Sequence, residues 1–340
     1  MLKKSLSYLR YLLPVAVSVV LVVWIFKKVN FHEMVSVIRD GCDFRYIAIM
    51  MVLTMLAMVI RGIRWGIQLR GVNLPRVSAT EESISIFGAY ALNLIFTGLG
   101  EGWRCVYMSR REKAPLSTII GTDIGDRSSD AIVIFLLSVL TFFVARAPIE
   151  SFFSHYKVGQ DMWNYFSSPW IWVTIFGVLG LLWSANHFFH NYRIVKTLDG
   201  DLHNVWNGFG ILFHLPGIGR YIILTLGIWI CYFLETYVCL FAFPFTREAL
   251  FGPGTCFGLL PGLVIFVFGS YSMAVPSNGG LGPWNLAVMF ALSLYGIKDV
   301  EGAAYSMVVW GCQTITYIAL GIYSALYISA HSGKSASSHQ

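Results

Sequence analysis

The sequence predicts an all-α, polytopic membrane protein, and its composition and its apolar runs are the observations that predict this fold. Hydrophobic residues make up 56% of the 340 positions and aromatic residues 16%, whereas charged residues make up only 12%. A water-soluble domain usually carries about twice that share of charge. Many runs also approach the roughly 20 apolar residues that a helix needs to cross a bilayer. We therefore expect about seven or eight transmembrane helices and one or two re-entrant or broken helices.

The expected transmembrane helices follow the long apolar runs, which are residues 9–27, 46–69, 120–145, 170–189, 219–244, 253–275 and 302–330. The first run begins after a basic segment at residues 1–10, but no small-residue cleavage site follows it, so we interpret it as a retained helix. We expect a single integral membrane domain at residues 1–330, with possible repeat halves at about 1–146 and 170–330, and a polar tail at residues 331–340.

The distribution of lysine and arginine predicts the orientation of the helices. These residues gather at residues 1–10, 61–76, 104–113 and 193–220, and basic segments beside transmembrane helices remain in the cytoplasm. We expect a multi-pass protein of a bacterial-type inner, or plasma, membrane with a cytoplasmic N-terminus. The side of the C-terminus is left open, because the tail contains a single lysine.

A shorter apolar run at residues 83–99 lies between two of these basic segments and leads into a glycine-rich stretch, TGLGEGW, at residues 97–103. Because both flanking segments are assigned to one side, the run cannot cross the membrane once, and a re-entrant hairpin is the simplest solution. Irregular backbone at membrane depth requires protein or a water-filled cavity to satisfy its polar groups. We therefore expect the hairpin to line a cavity.

A second glycine-rich stretch, GGLGPW at residues 279–284, overlaps a short apolar run at residues 283–296, which either crosses the membrane or turns back. Pro283 suits the first turn of a helix, where its missing N–H is not needed. Glycine-interrupted segments in both halves of a membrane chain indicate a transporter site. The alternative is that these glycines only allow tight helix packing.

Eight charged residues lie in or beside the apolar runs of the first half: Arg61, Arg64, Glu101, Arg104, Asp123, Asp126, Arg127 and Asp130. Each costs about 2.5–3.5 kcal/mol at the centre of a membrane helix. The last four share one helical face, which cannot face lipid. In one interpretation the arginines are interfacial anchors and the ion pairs only hold helices together. In the other the arginines form a phosphate pocket, to which guanidinium groups are suited, and the acids hold them in place.

Two acids are candidates for coupling transport to a proton or an ion. A buried carboxyl group can bind a proton near neutral pH, and Asp123 is such a candidate in the charged face. Glu235 lies near the middle of the run at residues 219–244, with no other charge within one helical turn. It must face the bundle, remain protonated or pair with an arginine of another helix.

Several classes of function are not indicated. The net charge of +6 comes from basic residues beside apolar runs, where they orient helices and contact lipid head groups, so we expect no nucleic-acid binding. The six cysteines form no C-x-x-C pair, and neither a metal site nor a disulfide framework is predicted. No hydrolase or P-loop motif occurs, so we expect neither a cofactor nor ATP hydrolysis.

Four motifs follow one another along the chain: R-x-x-R-W at residues 61–65, N-x-x-x-x-G-x-G-E-x-x-R at 93–104, D-R-x-x-D at 126–130 and P-x-x-G-G-x-G at 276–282. Their order resembles the lysylphosphatidylglycerol synthase transmembrane family, which includes many flippase-like membrane proteins. The resemblance covers nearly the whole chain. It implies an anionic or sugar-bearing substrate, which is a membrane lipid or a polyprenyl-linked sugar.

The chain departs from the family pattern at three places. Thr97 replaces the usual proline before the first glycine, and Asp126 replaces the usual glutamate before the arginine of the helix motif. Where the family often continues with an Arg-Glu pair, residues 282–285 read Gly-Pro-Trp-Asn. The second half of the site is therefore less charged, which favours a neutral or sugar head group.

The residues expected to bind the substrate are Arg61, Arg64, Asn93, Gly98, Gly100, Glu101, Arg104, Asp126, Arg127, Asp130, Asn278, Gly279, Gly280, Gly282 and Asn285. We expect a lipid or lipid-linked sugar translocase in which Arg61, Arg104 and Arg127 meet a head-group phosphate at the cavity made by TGLGEGW. The acyl chains would stay in the lipid.

Two rival hypotheses belong to other functional classes. One is a membrane-embedded transferase that uses Glu101 or Asp126 as a base on a lipid-linked donor. The other is a noncatalytic partner of a separately encoded glycosyltransferase or synthase. A complete lysyl-lipid synthase is not expected, since its soluble domain needs on the order of 100 residues and few residues follow the last apolar run.

Overall fold

The computed structural model describes residues 30–72, 74, 77–145, 209–215 and 217–336, together with isolated positions between residues 19 and 25 and at residues 169 and 206. Apart from those positions, the spans predicted at 9–27 and 170–189 lie outside the described residues. All regular elements in the described part of the chain are helical. This confirms the predicted all-α membrane class.

The helices of the described ranges are, in chain order, α1 (Phe31–Gly41), α2 (Phe44–Gly71), α3 (Ala79–Asn93), α4 (Leu99–Glu112), α5 (Leu116–Val144), α6 (Ile218–Cys239), α7 (Pro244–Leu250), α8 (Leu259–Ser272), α9 (Pro283–Ser293) and α10 (Asp299–Ala336). Short 3₁₀ turns lie at Ile211–Phe213 and Asn278–Gly280. Several helices begin where a polar side chain accepts bonds from the first free N–H groups. Asn30, Asp43 and Ser78 cap α1, α2 and α3 in this way.

Four of the described helices are long and apolar enough to cross a membrane, namely α2, α5, α6 and the part of α10 up to His331. Even α6, with 22 residues, is about 33 Å long, compared with a hydrocarbon layer of about 30 Å. These helices confirm the predicted spans at 46–69, 120–145, 219–244 and 302–330. The two ends of the bundle are named here after the ends of α2, as the Phe44 end and the Gly71 end.

The span predicted at 253–275 is corrected by the structure. Its helix, α8, has only 14 residues, or about 21 Å, which is too short to cross the hydrocarbon layer. Turns occupy the residues before α8, with positive φ at Gly254 and Gly258. Glycine adopts such angles without steric cost, so the helix starts later than the apolar run does.

α2 and α6 form an antiparallel pair. At the Gly71 end, Gln68 Nε2 donates a hydrogen bond to Tyr221 Oη at 2.7 Å. At the Phe44 end, the ring of Tyr46 stacks on that of Phe241, with centroids 5.7 Å apart. The two hairpins of the structure pack along this pair.

The first hairpin consists of α3, the turn at residues 94–98 and α4. At its base, Arg70 Nη1 donates to Glu82 Oε1 at 2.5 Å and Arg111 pairs with Glu81, so the hairpin starts and finishes at the Gly71 end. Its helices have 15 and 14 residues, and each is therefore only about 21–23 Å long. The run at residues 83–99 thus enters and turns back, as the charge distribution predicted.

The second hairpin consists of α8, residues 273–282 and α9, and its base lies at the opposite end of the bundle. Tyr237, near the end of α6, donates from its hydroxyl to Phe257 O at 2.8 Å, just before α8. Leu292, near the end of α9, belongs to the same buried cluster as Ile47 of α2. Because α9 has 11 residues, or about 16 Å, the run at residues 283–296 also turns back.

The tips of the two hairpins meet inside the bundle. Thr97 Oγ1 donates to Ser277 O at 2.7 Å, and Asn278 Nδ2 donates to Ile95 O at 3.1 Å. Gly279 has φ +57°, and a Cβ there would lie 2.5 Å from a side-chain carbon of the first tip. The glycine-rich stretches that stand far apart in the sequence are therefore neighbours in space.

α10 packs beside both hairpins. Its Trp310 Nε1 donates to Gly279 O at 2.8 Å, at the second tip. Further along, Ser324 Oγ donates to Ile84 O at 2.8 Å, close to the start of α3. The C-terminal part of α10 therefore lies toward the Gly71 end, the same end as the base of the first hairpin.

Candidate functional site

A cavity of about 480 Å³ lies where the hairpin tips meet α2, α5, α6 and α10. Its charged lining residues are Arg61, Glu101, Arg127, Asp130 and Glu235. Aromatic residues form much of the remaining wall, among them Tyr90, Trp229, Tyr232, Trp284, Trp310 and Tyr317. Ligand sites typically enclose about 300–1,000 Å³, so the cavity has room for a small head group.

Ion pairs between α2 and α5 form one side of the cavity. Arg61 pairs with Asp130 and donates from Nη1 to Tyr232 Oη at 3.3 Å. Arg64 Nη1 donates to the other oxygen of Asp130 at 2.8 Å, and Arg64 Nη2 lies 2.6 Å from Asp126 Oδ1. Buried charges require such partners, because an isolated charge in a medium of low dielectric constant is very costly.

Further ion pairs join α4 to α5. Arg104 pairs with Asp123 and lies 3.7 Å from Asp126 Oδ2, while Arg127 pairs with Glu101. The helical spacing of the α5 charges thus turns its acids toward arginines of two other helices. All eight charges that the sequence singled out take part in this network.

The arginines of the network fall into two groups by their position relative to the cavity. Arg64 and Arg104 are 0% and 1% exposed, and neither is among the described residues that line the cavity. The guanidinium of Arg104 lies 4.5 Å from the ring centroid of Trp65. Arg61 and Arg127 do line the cavity. The structure therefore brings two of the three predicted phosphate ligands to one cavity and places Arg104 behind its wall.

Asn93 and Glu101 organise the start of α4. Asn93 Oδ1 accepts the N–H of Gly100 at 2.8 Å, and its Nδ2 donates to Glu101 Oε1 at 3.1 Å. Glu101 also pairs with Arg127 of α5. The carboxyl group therefore holds Arg127 beside the cavity.

Two glycines of TGLGEGW have separate structural roles. Gly98 has φ +79° at the start of α4 and lines the cavity. A Cβ on Gly100 would lie 1.9 Å from Ala89 O, so this glycine allows α4 to approach α3 closely. Tight packing, the alternative interpretation of the glycines, accounts for Gly100.

The sequence that forms this site is similar to one known family of membrane proteins. The chain matches the family model of the lysylphosphatidylglycerol synthase TM region over residues 11–321. The chain belongs to this family. The matched range contains all four motifs and both hairpins, and it confirms the resemblance seen in the sequence. No curated protein and no solved structure matches the chain.

In this member of the family, the second glycine-rich stretch contributes mainly backbone to the site. Gly279 and Gly280 line the cavity. The N–H of Gly282 donates to Asn285 Oδ1 at 3.0 Å, and Asn285 is fully buried, so these two residues build the start of α9. Asn278 uses its amide to join the two tips. Two of the five residues predicted from this stretch therefore lie on the cavity wall.

The two coupling candidates have different surroundings. Asp123 is held by Arg104, away from the described cavity lining. Glu235 lines the cavity, and its Oε2 accepts a hydrogen bond from Gln313 Nε2 at 3.1 Å. No arginine, lysine or histidine of the described residues lies within ion-pair distance of Glu235, in contrast to the acids of α5.

The aromatic lining had no counterpart among the predicted site residues. Tyr90 and Tyr317 lie with their ring centroids 5.3 Å apart, and Tyr90 also faces the guanidinium of Arg61 at 5.8 Å. Aromatic residues within apolar runs follow the same pattern whether they pack in a core or line a cavity. Spacing was the signal that could have identified this lining. Tyr232 precedes Glu235 by three residues and therefore shares its helical face.

Proposed function

We propose that this family member is a translocase that moves a lipid, or a lipid-linked sugar, between the two leaflets. The observation that carries the proposal is the cavity between two hairpins that enter from opposite ends of the bundle and meet at their tips. A head group in this cavity would stand midway along the bundle, while its acyl chains remain in the surrounding lipid.

Arg127 is the best-placed ligand for a head-group phosphate. Its side chain is 39% exposed, and among the described residues its one carboxylate partner is Glu101. A guanidinium carries five N–H donors, so the remaining donors can bind phosphate in a bidentate manner. Arg61 is only 2% exposed and is already bound by Asp130 and Tyr232. Arg61 therefore contributes mainly to the packing of the cavity wall and to its positive potential, and less to direct hydrogen bonding of the phosphate.

The charge balance of the lining favours a sugar-bearing phosphate over a simple anion. Two arginines line the cavity, and so do three acids: Glu101, Asp130 and Glu235. Sugar hydroxyl groups donate hydrogen bonds to carboxylates, and aromatic rings such as Trp229 and Trp310 cover apolar sugar faces. A lipid-linked sugar phosphate therefore uses more of this lining than a phosphate alone does.

The proposed setting is the plasma membrane of a bacterial-type cell. The arginines at the Gly71 end of α2 and at the end of α4 favour a cytoplasmic position for that end. The first hairpin then enters from the cytoplasm and the second from the opposite side. The basic segment at residues 1–10 favours a cytoplasmic N-terminus. A separately encoded glycosyltransferase or synthase is the partner that would make or use the lipid.

Purified protein in liposomes tests the proposal directly. The probes are fluorescent phosphatidylglycerol and a short-chain polyprenyl phosphate hexose, and the measurement is the fraction of probe that external reagents reach over time. Wild-type protein should make the inner-leaflet probe accessible without changing it chemically. A new lipid product on chromatography would instead establish the transferase hypothesis.

A matched pair of variants assigns the site. Arg127→Gln should slow redistribution by about tenfold or more, because hydrogen bonds to charged groups contribute about 1.5–3 kcal/mol and each 1.4 kcal/mol is tenfold. Arg110→Gln is the control, since Arg110 is an exposed arginine on α4. Equal rates for both variants, with normal elution on size-exclusion chromatography, would show that Arg127 does not bind the head group.

A further inference from the structure

Glu235 differs from the other acids that line the cavity. Glu101 and Asp130 each have an arginine partner. Glu235 is 6% exposed and has Gln313 as its hydrogen-bond donor. Its Oε1 has no hydrogen-bond partner among the described residues. Thr54 lies beside the carboxyl group, but its hydroxyl donates to Met50 O at 3.1 Å.

The elements packed around Glu235 bring no cation to it. From α10 it meets Gln313 and the phenol of Tyr317, and along α6 it has the thiols of Cys231 and Cys239 as titratable neighbours. α8 contains no charged residue. Of the four arginines of α2, Arg61 and Arg64 are occupied by the acids of α5. Arg70 pairs with Glu82, and Arg45 lies in the first turn of the helix, at the Phe44 end. An ionised Glu235 would thus be a buried charge without a cation to balance it.

Protonation of Glu235 changes the charge of the cavity. With the proton bound, Arg61 and Arg127 balance Glu101 and Asp130, and without it the lining has an excess negative charge. An anionic head group beside Arg127 is repelled by that excess and is accepted more readily when the proton is present. By thermodynamic linkage, the head group in turn strengthens proton binding.

We propose that Glu235 is a proton-binding site, and that a proton on its carboxyl group accompanies an anionic head group through the cavity. The inference rests on the proposed translocase function and adds its energy source.

The test uses full-length protein in liposomes with a pH difference of one unit across the membrane. With one proton per lipid, the probe should approach a leaflet ratio of about ten, because one pH unit corresponds to a tenfold ratio, and the sign of the asymmetry should reverse with the pH difference. The probes are again fluorescent phosphatidylglycerol and the polyprenyl phosphate hexose. Protein-free liposomes measure the spontaneous response of the probes.

Variants identify the group that carries the proton. In Glu235→Gln the final ratio should no longer depend on the pH difference, whatever rate the variant retains. Glu248→Gln, which neutralises an exposed glutamate of α7, should behave as wild type. If Glu235→Gln does not fold, Gln313→Leu is the second variant. It keeps the carboxyl group of Glu235 and removes its hydrogen-bond donor, so the pH profile of probe redistribution should shift to higher pH. A pH response in Glu235→Gln equal to that of wild type, or asymmetry driven by sodium alone, overturns the proposal.

A spectroscopic arm separates this inference from the translocase proposal. Infrared difference spectra of the purified protein should show a protonated carboxyl band that titrates, that is lost in Glu235→Gln and whose midpoint rises when the moved probe is added. If wild-type protein moves neither probe, the translocase proposal fails for these lipids. If it moves a probe but shows no such band, or a band that the probe does not shift, the proton site is wrong and the translocase remains.

Discussion

The two hairpins have similar geometry and very different chemistry. Each consists of two short helices joined by an irregular tip that contains glycine, and each begins and finishes at one end of the bundle. The first is tied to α5 by ion pairs through Glu101 and Arg104. The second has no charged residue from Leu259 to Ser293 and is held by apolar packing and by hydrogen bonds between neutral groups. We expect the first hairpin to hold the head group and the second to shape its path.

This difference shows that a broken helix can be stabilised in two ways inside a bilayer. Tip backbone needs partners at membrane depth. In the first hairpin, Asn93 supplies them and joins the tip to the charged network. In the second, Asn285 and Trp310 bond the tip backbone without any charge. Substitutions that remove charged partners of the first hairpin should therefore lower the free energy of unfolding more than substitutions that remove neutral partners of the second.

The largest effect is expected for Arg104→Ala. The substitution leaves Asp123 and Asp126 short of a buried partner, and removing one member of a buried ion pair typically costs about 3–5 kcal/mol. The measurement is thermal unfolding in detergent, together with the yield of monodisperse protein. Arg110→Ala, on the same helix but exposed, should change neither.

A double variant distinguishes the loss of the ion-pair attraction from the cost of leaving a buried carboxylate without a partner. Arg104→Met with Asp123→Asn removes the pair without leaving Asp123 ionised and alone, and it should recover most of the lost stability. If the double variant is as unstable as the single one, packing of Arg104 on Trp65 matters more than the charges do.

Much of this charged side could be predicted from the sequence, and the reason is the cost of charge in lipid. Asp123, Asp126 and Asp130 fall on one helical face, so they had to find partners within the bundle, and the arginines were the available cations. Burial of Arg104 behind the cavity could not be predicted, because the distinction between a wall residue and a supporting residue depends on helix rotation that spacing does not determine.

The uncharged side was less predictable. The glycines at 279–282 indicated a break in the helix. The first tip, which contacts this break in the structure, lies far away in the sequence. The apolar run at 253–275 has the composition of a spanning helix, and the turns before α8, with positive φ at Gly254, Cys256, Phe257 and Gly258, shorten it. Glycine permits such turns without requiring them, so composition alone predicted a full span there.

A smaller effect is expected at the close contact within the first hairpin. Gly100→Ala places a Cβ against Ala89 O, and overpacking of this kind costs about 1–3 kcal/mol. Gly102→Ala is the matched control in the same helix, since a Cβ added there would meet no atom within 4 Å. Unfolding temperatures should fall only for the first variant; a fall in both would point to a general intolerance of this helix to substitution.

In the second hairpin, Asn285→Ala should cost less than the loss of Arg104 does. It removes the bond to the N–H of Gly282, and loss of a helix cap costs about 0.5–2 kcal/mol. Asn285→Asp keeps an acceptor but introduces a buried charge, so it should be the more damaging of the two variants. The reverse order in unfolding experiments would contradict the view that this hairpin is held by neutral bonds.

The smallest effect is expected at the contact between the tips, where Thr97 donates to Ser277 O and supplies one of the two hydrogen bonds described between the hairpins. Thr97→Val keeps the shape of the side chain and removes the donor, and a typical hydrogen bond contributes about 0.5–1.5 kcal/mol. Thr97→Ser keeps the donor and is the control. Because the bond joins the tips and lies far from either base, hydrogen exchange should accelerate at the tip amides of both hairpins, and at neither base, in Thr97→Val. Faster exchange in the first hairpin alone would mean that the second tip is held without the Thr97 bond, by Trp310, by Asn285 and by the bond from Asn278 to Ile95 O.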